Sequence, residues 1–154
     1  MKGNEKVLAV LNKALAEELT AVSQYMVHSE MCESWGYGKL HTAIEKQAID
    51  EMKHAEMLIG RILFLEGTPT VSRLNEIKIG ANVENMIAFD EEAEGGAIKA
   101  YNETMAEAVR LADNGTRELV AKILLDEERH VDWAESQRDR IAQMGVQNYL
   151  ANQA

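Results

Sequence analysis

Apolar residues return at alternating steps of three and four through runs too long for any element but a helix, and a single proline, Pro69, interrupts the 154 residues. Strands would alternate at every second position, and a chain rich in Ala, Glu, Leu and Met favours long helices instead. The first stripe passes through Leu8, Leu11, Leu15, Glu18, Val22, Tyr25, Ser29 and Cys32 and stops at Trp35-Gly36-Tyr37-Gly38. A second follows through Leu40, Ile44, Gln47, Glu51, His54, Leu58, Ile62 and Leu65, ended by Gly67. Between Thr68 and Asn82 no helical period survives, which predicts a long crossover. A third helix is expected from about Val83 to Ala112 through Ile87, Glu94, Ala97 and Tyr101. Asp113-Asn114-Gly115 then turns the chain into a fourth, Thr116 to Met144, stopped by Gly145. The tail Val146 to Ala154 adds one short helix if Val146, Tyr149 and Leu150 find a surface to cover. The fold class is all-α: one domain over residues 1–154, a four-helix bundle with a single long crossover between helices two and three and a short C-terminal fifth helix.

Several function classes are excluded by composition. The one cysteine, Cys32, can form neither an internal disulfide nor a thiolate cluster, which fits a reducing cytoplasm. The N-terminus MKGNEKVLAVLNK intersperses charges among apolar residues and reads as no export signal, and no stretch is apolar for long enough to span a membrane. A formal net charge of −10 argues against nucleic acid, whose phosphates need clustered Lys and Arg, and makes cations the better guests. Acidity alone is equally well explained by solubility.

The chemistry lies in what interrupts the stripes. Glu-x-x-His occurs twice, as Glu51-Met52-Lys53-His54 and Glu127-Glu128-Arg129-His130, and residues three apart share a helix face. One such tetrad is common on helix surfaces, but these two belong to an internal repeat. Ile49–Glu56 matches Leu125–Asp132 at an offset of 76 residues, and the same offset carries Glu18 onto Glu94 and Tyr25 onto Tyr101. Glu94 is thereby distinguished from its neighbours Glu91 and Glu92, because it alone keeps both the offset and the register of Ile87, Ala97 and Tyr101. Each half supplies one Glu and one Glu-x-x-His. Four carboxylates and two imidazoles then converge in the core, where unpaired carboxylates cost several kcal/mol each. No Lys or Arg lies beside them in the stripes. Two divalent cations would balance four carboxylates, with the histidines binding as neutral bases. Oxygen and nitrogen ligands without thiolate suit Fe2+ or Mn2+ and also admit Zn2+. Two Glu with two Glu-x-x-His is the ligand set of ferritin-like di-iron and di-manganese bundles.

On these residues, and on the runs MKGNEKVLAVLN, SQYMVHSEM, WGYGKL, IDEMKHAEMLIGRILFLEGTP, DEERHVDW and MGVQNYL, the chain resembles the bacterioferritins, the haem-containing bacterial ferritins, from end to end. The resemblance implies a ferritin-like fold and a ferroxidase that oxidises Fe2+ with O2 or H2O2 at a di-iron centre. Glu51 and Glu127 would bridge the irons, Glu18 and Glu94 would be terminal ligands, and His54 and His130 would complete one iron each. It also implies deposition of ferric mineral inside a hollow homo-oligomeric shell of about 24 subunits, a 24-mer. The physiological reductant stays open, a ferredoxin-type protein being one candidate. Met52 lies on a second apolar face with Ala48, Ala55 and Ile59, joined by Leu19 and Met26 of helix one. From the residues alone this face is a subunit interface with methionine filling gaps. By resemblance, Met52 from each of two subunits is an axial ligand of a shared haem b or related iron porphyrin. Tyr25 and Tyr101, each seven residues beyond a ligand Glu, are core aromatics, and Tyr25 is also a candidate hydrogen-bond partner or oxidisable neighbour. His28 and His41 read as plain surface or interface residues. Where members of the family carry a histidine on the cavity side near Asp50, this chain has Lys46, which puts an inner-surface iron site in doubt.

Rival functions share the bundle. A rubrerythrin-like peroxidase usually carries a separate four-cysteine iron domain, which one cysteine cannot supply, and a manganese catalase would use similar ligands on peroxide. A purely structural bundle would treat the tetrads as salt-bridged accidents.

Overall fold

The computed structural model describes all 154 residues and contains five helices: α1 (Glu5–Ser34), α2 (Gly38–Phe64), α3 (Val83–Arg110), α4 (Asn114–Met144) and α5 (Val146–Ala151). Side-chain caps set three of the starts. Asn4, Asn82 and Asp113 accept the backbone N–H of Lys6, Asn85 and Thr116, each cap contributing about 1 kcal/mol. The cap at Asp113 draws Asn114 and Gly115, expected as a turn, into the first turn of α4. α2 ends with Gly67 N–H on the Ile62 carbonyl and Glu66 N–H on that of Leu63, and the left-handed residue of this stop is Glu66 (φ 61°). Gly67 leaves room for Leu8, whose Cδ2 would stand 2.5 Å from a Cβ there and would have to shift.

α1 packs along α2 and α3, α3 along α4, and α2 and α4 face each other at longer range. Every position of the second predicted stripe is buried, and in the first only Leu8 and Val22 are partly exposed. The apolar core divides in two. One cluster gathers Leu11, Leu15, Leu58, Ile62, Tyr101 and Ile123; the other gathers Tyr25, Leu40, Ile44, Met86, Ile87 and Tyr149. The ionisable residues of the stripes lie at the sequence positions between them. Ala48 and Ala55, assigned from sequence to a second outward face, are instead buried in these clusters, because a small side chain at the edge of a helix stripe lets the neighbouring helix close over it. Met52 and Met26 do face outward. α5 finds its partner surface at the end of the bundle, where buried Tyr149 donates a 2.8 Å hydrogen bond to Gln137. No helix is long and apolar enough to cross a membrane.

The crossover has no secondary structure of its own and is held by side chains of α1. Asn12 Oδ1, Thr20 Oγ1, Gln24 Oε1 and His28 Nε2 accept the N–H groups of Thr70, Asn75, Lys78 and Gly80 at 2.8, 2.8, 3.0 and 2.9 Å. These positions step by eight, four and four, which is one helix face. His28 is therefore not a surface residue: the crossover covers it completely. With Nε2 accepting, Nδ1 carries the proton and donates it to Asp90 Oδ1 at 2.8 Å, the oxygen that Gln24 Nε2 also reaches at 2.8 Å. His41 is partly exposed and touches Ser29 O through Nδ1 at 3.0 Å.

Candidate metal centre

Glu18 on α1, Glu51 and His54 on α2, Glu94 on α3 and Glu127 and His130 on α4 project from four helices into one buried space. They form two overlapping groups, Glu18-Glu51-His54-Glu127 and Glu51-Glu94-Glu127-His130, each offering ligand atoms within 4.8 Å of one another. Glu51 and Glu127 belong to both. The two imidazoles stand 6.4 Å apart between ring centroids.

Each imidazole turns Nδ1 inward. His54 Nδ1 lies 2.7 Å from Glu127 Oε1, 3.1 Å from Glu51 Oε2 and 3.6 Å from Glu18 Oε1. His130 Nδ1 lies 2.7 Å from Glu51 Oε1 and 3.2 Å from Glu94 Oε1. One ring N–H cannot serve several carboxylates, and the 2.7 Å approaches lack hydrogen-bond alignment. Glu18 Oε2, Glu51 Oε1, Glu94 Oε2 and Glu127 Oε1 are buried and receive no aligned hydrogen bond from a histidine, a hydroxyl or a backbone N–H. The remaining oxygens of the outer pair are anchored by tyrosines: Tyr25 Oη donates to Glu94 Oε1 at 2.6 Å, and Tyr101 Oη donates to Glu18 Oε1. The tyrosine of each sequence half thus holds the glutamate of the other, and Tyr25 makes the hydrogen bond expected of it.

The electrostatics follow from burial among like charges. Loss of water, then the nearby Glu18, Glu94 and Glu127, push the Glu51 carboxyl well above the usual carboxylate range. Burial and Glu18 push Glu127 up to about 10. Burial opposes the charged form of His54, but the carboxylates of Glu127 and Glu18 close to its ring prevail and raise it to about 10. Burial would raise Glu94 as well, yet its hydrogen bonds with Glu127, His130 and Tyr25 hold it below its ordinary value. The centre therefore retains protons on residues that two divalent cations would displace.

Two aspartates were missed from the sequence. His54 Nε2 donates to Asp126 Oδ2 at 2.8 Å, and His130 Nε2 donates to Asp50 Oδ2 at 3.3 Å, each across the α2–α4 gap. Burial would raise the Asp50 carboxyl, but His130 and Lys46 hold it below its usual value. The signal was available: Asp50 and Asp126 are 76 residues apart and each precedes the Glu of its tetrad. Met52 stands outside the centre, with 54% of its surface exposed on α2.

Four long helices, one crossover and a carboxylate–imidazole centre at mid-bundle define a ferritin-like bundle, and residues 8–144 match the family described as the ferritin-like domain. The chain is 44% identical to a bacterial ferritin of Synechocystis sp. over 99% of both chains, and 40% identical to a bacterial ferritin of Paramagnetospirillum magnetotacticum over 100% of this chain and 95% of the relative. It is 38% identical to a bacterioferritin of Brucella melitensis over 97% of this chain and 92% of that one. The chain belongs to the ferritin family, in its bacterioferritin branch.

Proposed function

We propose that the chain stores iron, oxidising Fe2+ at a di-iron centre held by Glu18, Glu51, His54, Glu94, Glu127 and His130 and depositing the ferric product in a hollow homo-oligomeric shell in the cytoplasm. The observation that carries this function is the set of four buried carboxylate oxygens without hydrogen-bond partners, one on each glutamate. A structural cluster would leave none, since an unsatisfied buried polar group costs about 1–3 kcal/mol and a charged one more. The donor set fits two hard or borderline divalent cations.

Glu51 and Glu127, shared by both groups, are the carboxylates that would serve both cations, and Glu18 and Glu94 would each serve one. Tyr25 and Tyr101 hold Oε1 of the terminal glutamates and leave Oε2 free to ligate. The imidazoles would bind through Nδ1, giving up its proton, while Nε2–H on Asp126 or Asp50 keeps each ring oriented. Loading therefore releases protons. The two apolar clusters exclude bulk water on either side. When bound, the iron pair supplies the two electrons that the oxidant accepts.

Met52 is the residue that would hold a haem iron at a contact between two subunits. Its exposed thioether is a donor suited to that metal. Gel filtration and the visible spectrum of the purified protein report shell and haem, and Met52→Leu should remove the haem bands.

The test of the main function is an anaerobic Fe2+ titration of the assembly followed by rapid mixing with O2, and in parallel with H2O2. The expected result is saturation near two irons per chain and a fast oxidation phase. Saturation far from two, or no fast phase, overturns it, and a catalase-like turnover of peroxide would assign the bundle to the rival chemistry.

A further inference from the structure

We infer that the two halves of the centre are unequal: the His54 half takes the first divalent cation, and the His130 half binds the second more weakly because Lys46 competes for the aspartate oxygen that orients His130. This inference rests on the two-metal centre proposed above.

Each imidazole is gripped on both sides by an Asp-Glu dipeptide of the opposite helix. Asp126-Glu127 of α4 meets His54 at 2.8 Å on Nε2 and 2.7 Å on Nδ1, and Asp50-Glu51 of α2 meets His130 at 3.3 Å and 2.7 Å. The inner contacts are equal and the outer ones are not. The difference lies in which aspartate oxygen the surface cation occupies. Arg129 pairs with Asp126 through Oδ1, leaving Oδ2 to His54. Lys46 Nζ instead lies 3.3 Å from Asp50 Oδ2, the same oxygen that His130 uses. Sharing one acceptor lengthens the bond that fixes the tautomer and orientation of His130 and makes its Nδ1 a more basic ligand. His130 is also the less enclosed ring, its side chain 8% exposed against 3% for His54. It lines a cleft of about 420 Å³ between α2 and α4, onto which both outer aspartates, Asp50 and Asp126, and their cations Lys46 and Arg129 also open, while His54 does not. Asp50 and Asp126 are thus positioning residues, and Lys46 sets the difference between the halves.

The experiment is a Zn2+ titration of the metal-free assembly against a competing chelator, with the metal-free melting temperature as a second readout. The unaltered chain should bind two Zn2+ in steps at least about tenfold apart, and Asp126→Asn should weaken the His54 half about 10- to 100-fold, bringing the first step down to the affinity of the second. Asp50→Asn should weaken only the second step, and Lys46→Met should strengthen it several-fold without moving the melting temperature. Two equal sites in the unaltered chain overturn the inference, as does a second step indifferent to Lys46→Met or an Asp126→Asn effect confined to the second step. No Zn2+ binding by the unaltered chain would instead sink the two-metal centre itself, so the two failures are distinguishable.

Discussion

The bundle buries two polar clusters, and they differ in one respect. At the edge under the crossover, Asp90 accepts from His28 and Gln24, His28 accepts from Gly80, and Gln24 accepts from Lys78. At mid-bundle the four glutamates are equally buried, yet each keeps one oxygen without a partner. Both clusters carry carboxylate and imidazole and both are buried. Burial and charge are therefore common to the two clusters; satisfaction separates them. A closed network repays the desolvation of its members within the chain, whereas an open one needs a guest.

The comparison breaks if the two clusters respond alike to substitution. The largest expected effect is Asp90→Ala, which leaves His28 without its acceptor and the crossover loosely held. Chemical denaturation should show a loss of about 3–5 kcal/mol, as for other broken buried pairs, with metal binding still two per chain. Glu127→Gln should do the reverse. It removes a shared carboxylate, and divalent cation affinity measured by titration should fall at least about 100-fold, close to 2.7 kcal/mol. The metal-free protein should be no less stable, because a buried group with an unpartnered oxygen is lost. A drop in metal-free stability as large as that of Asp90→Ala would erase the distinction.

A pH series sharpens it. Without metal, folded Glu127 and His54 both hold their protons to about pH 10, while the unfolded chain releases them near 4.5 and 6.5. The native state thus binds more protons across that window. Stability is fully present below the unfolded values and is lost as pH rises toward about 10, by up to about 1.4 kcal/mol per pH unit per group. Melting temperatures of metal-free protein between pH 6 and pH 9 should fall accordingly, and metal loading, which displaces these protons, should flatten the slope. A flat metal-free profile would mean that the centre does not retain them. The smallest effect belongs to Asn12→Ala, which frees the Thr70 end of the crossover for about 1 kcal/mol, read from faster hydrogen exchange at Thr70 and little change elsewhere.

Much of this molecule is local in origin. A period of 3.6 is a property of neighbouring residues, so the stripes, the four long helices and the six residues set among the apolar positions follow from spacing alone. The 76-residue offset singled out Glu94 and contained Asp50 and Asp126 without giving them a role, because which carboxylate meets which imidazole depends on the α2–α4 separation. The crossover is the opposite case. It has no period, and its course is set by acceptors on α1 that become legible only once the chain lies across them; this is why His28, one position off the stripe through Tyr25 and Ser29, looked like a surface residue. Ala48 and Ala55 changed from outer face to core for the same reason, since closure over small side chains depends on the neighbouring helix. Sequence by itself determined the helices and the six ionisable residues that meet at mid-bundle, because both are written in short-range periodicity. Tertiary structure alone decided which buried oxygens remain open, because satisfaction is counted over partners that arrive from distant segments.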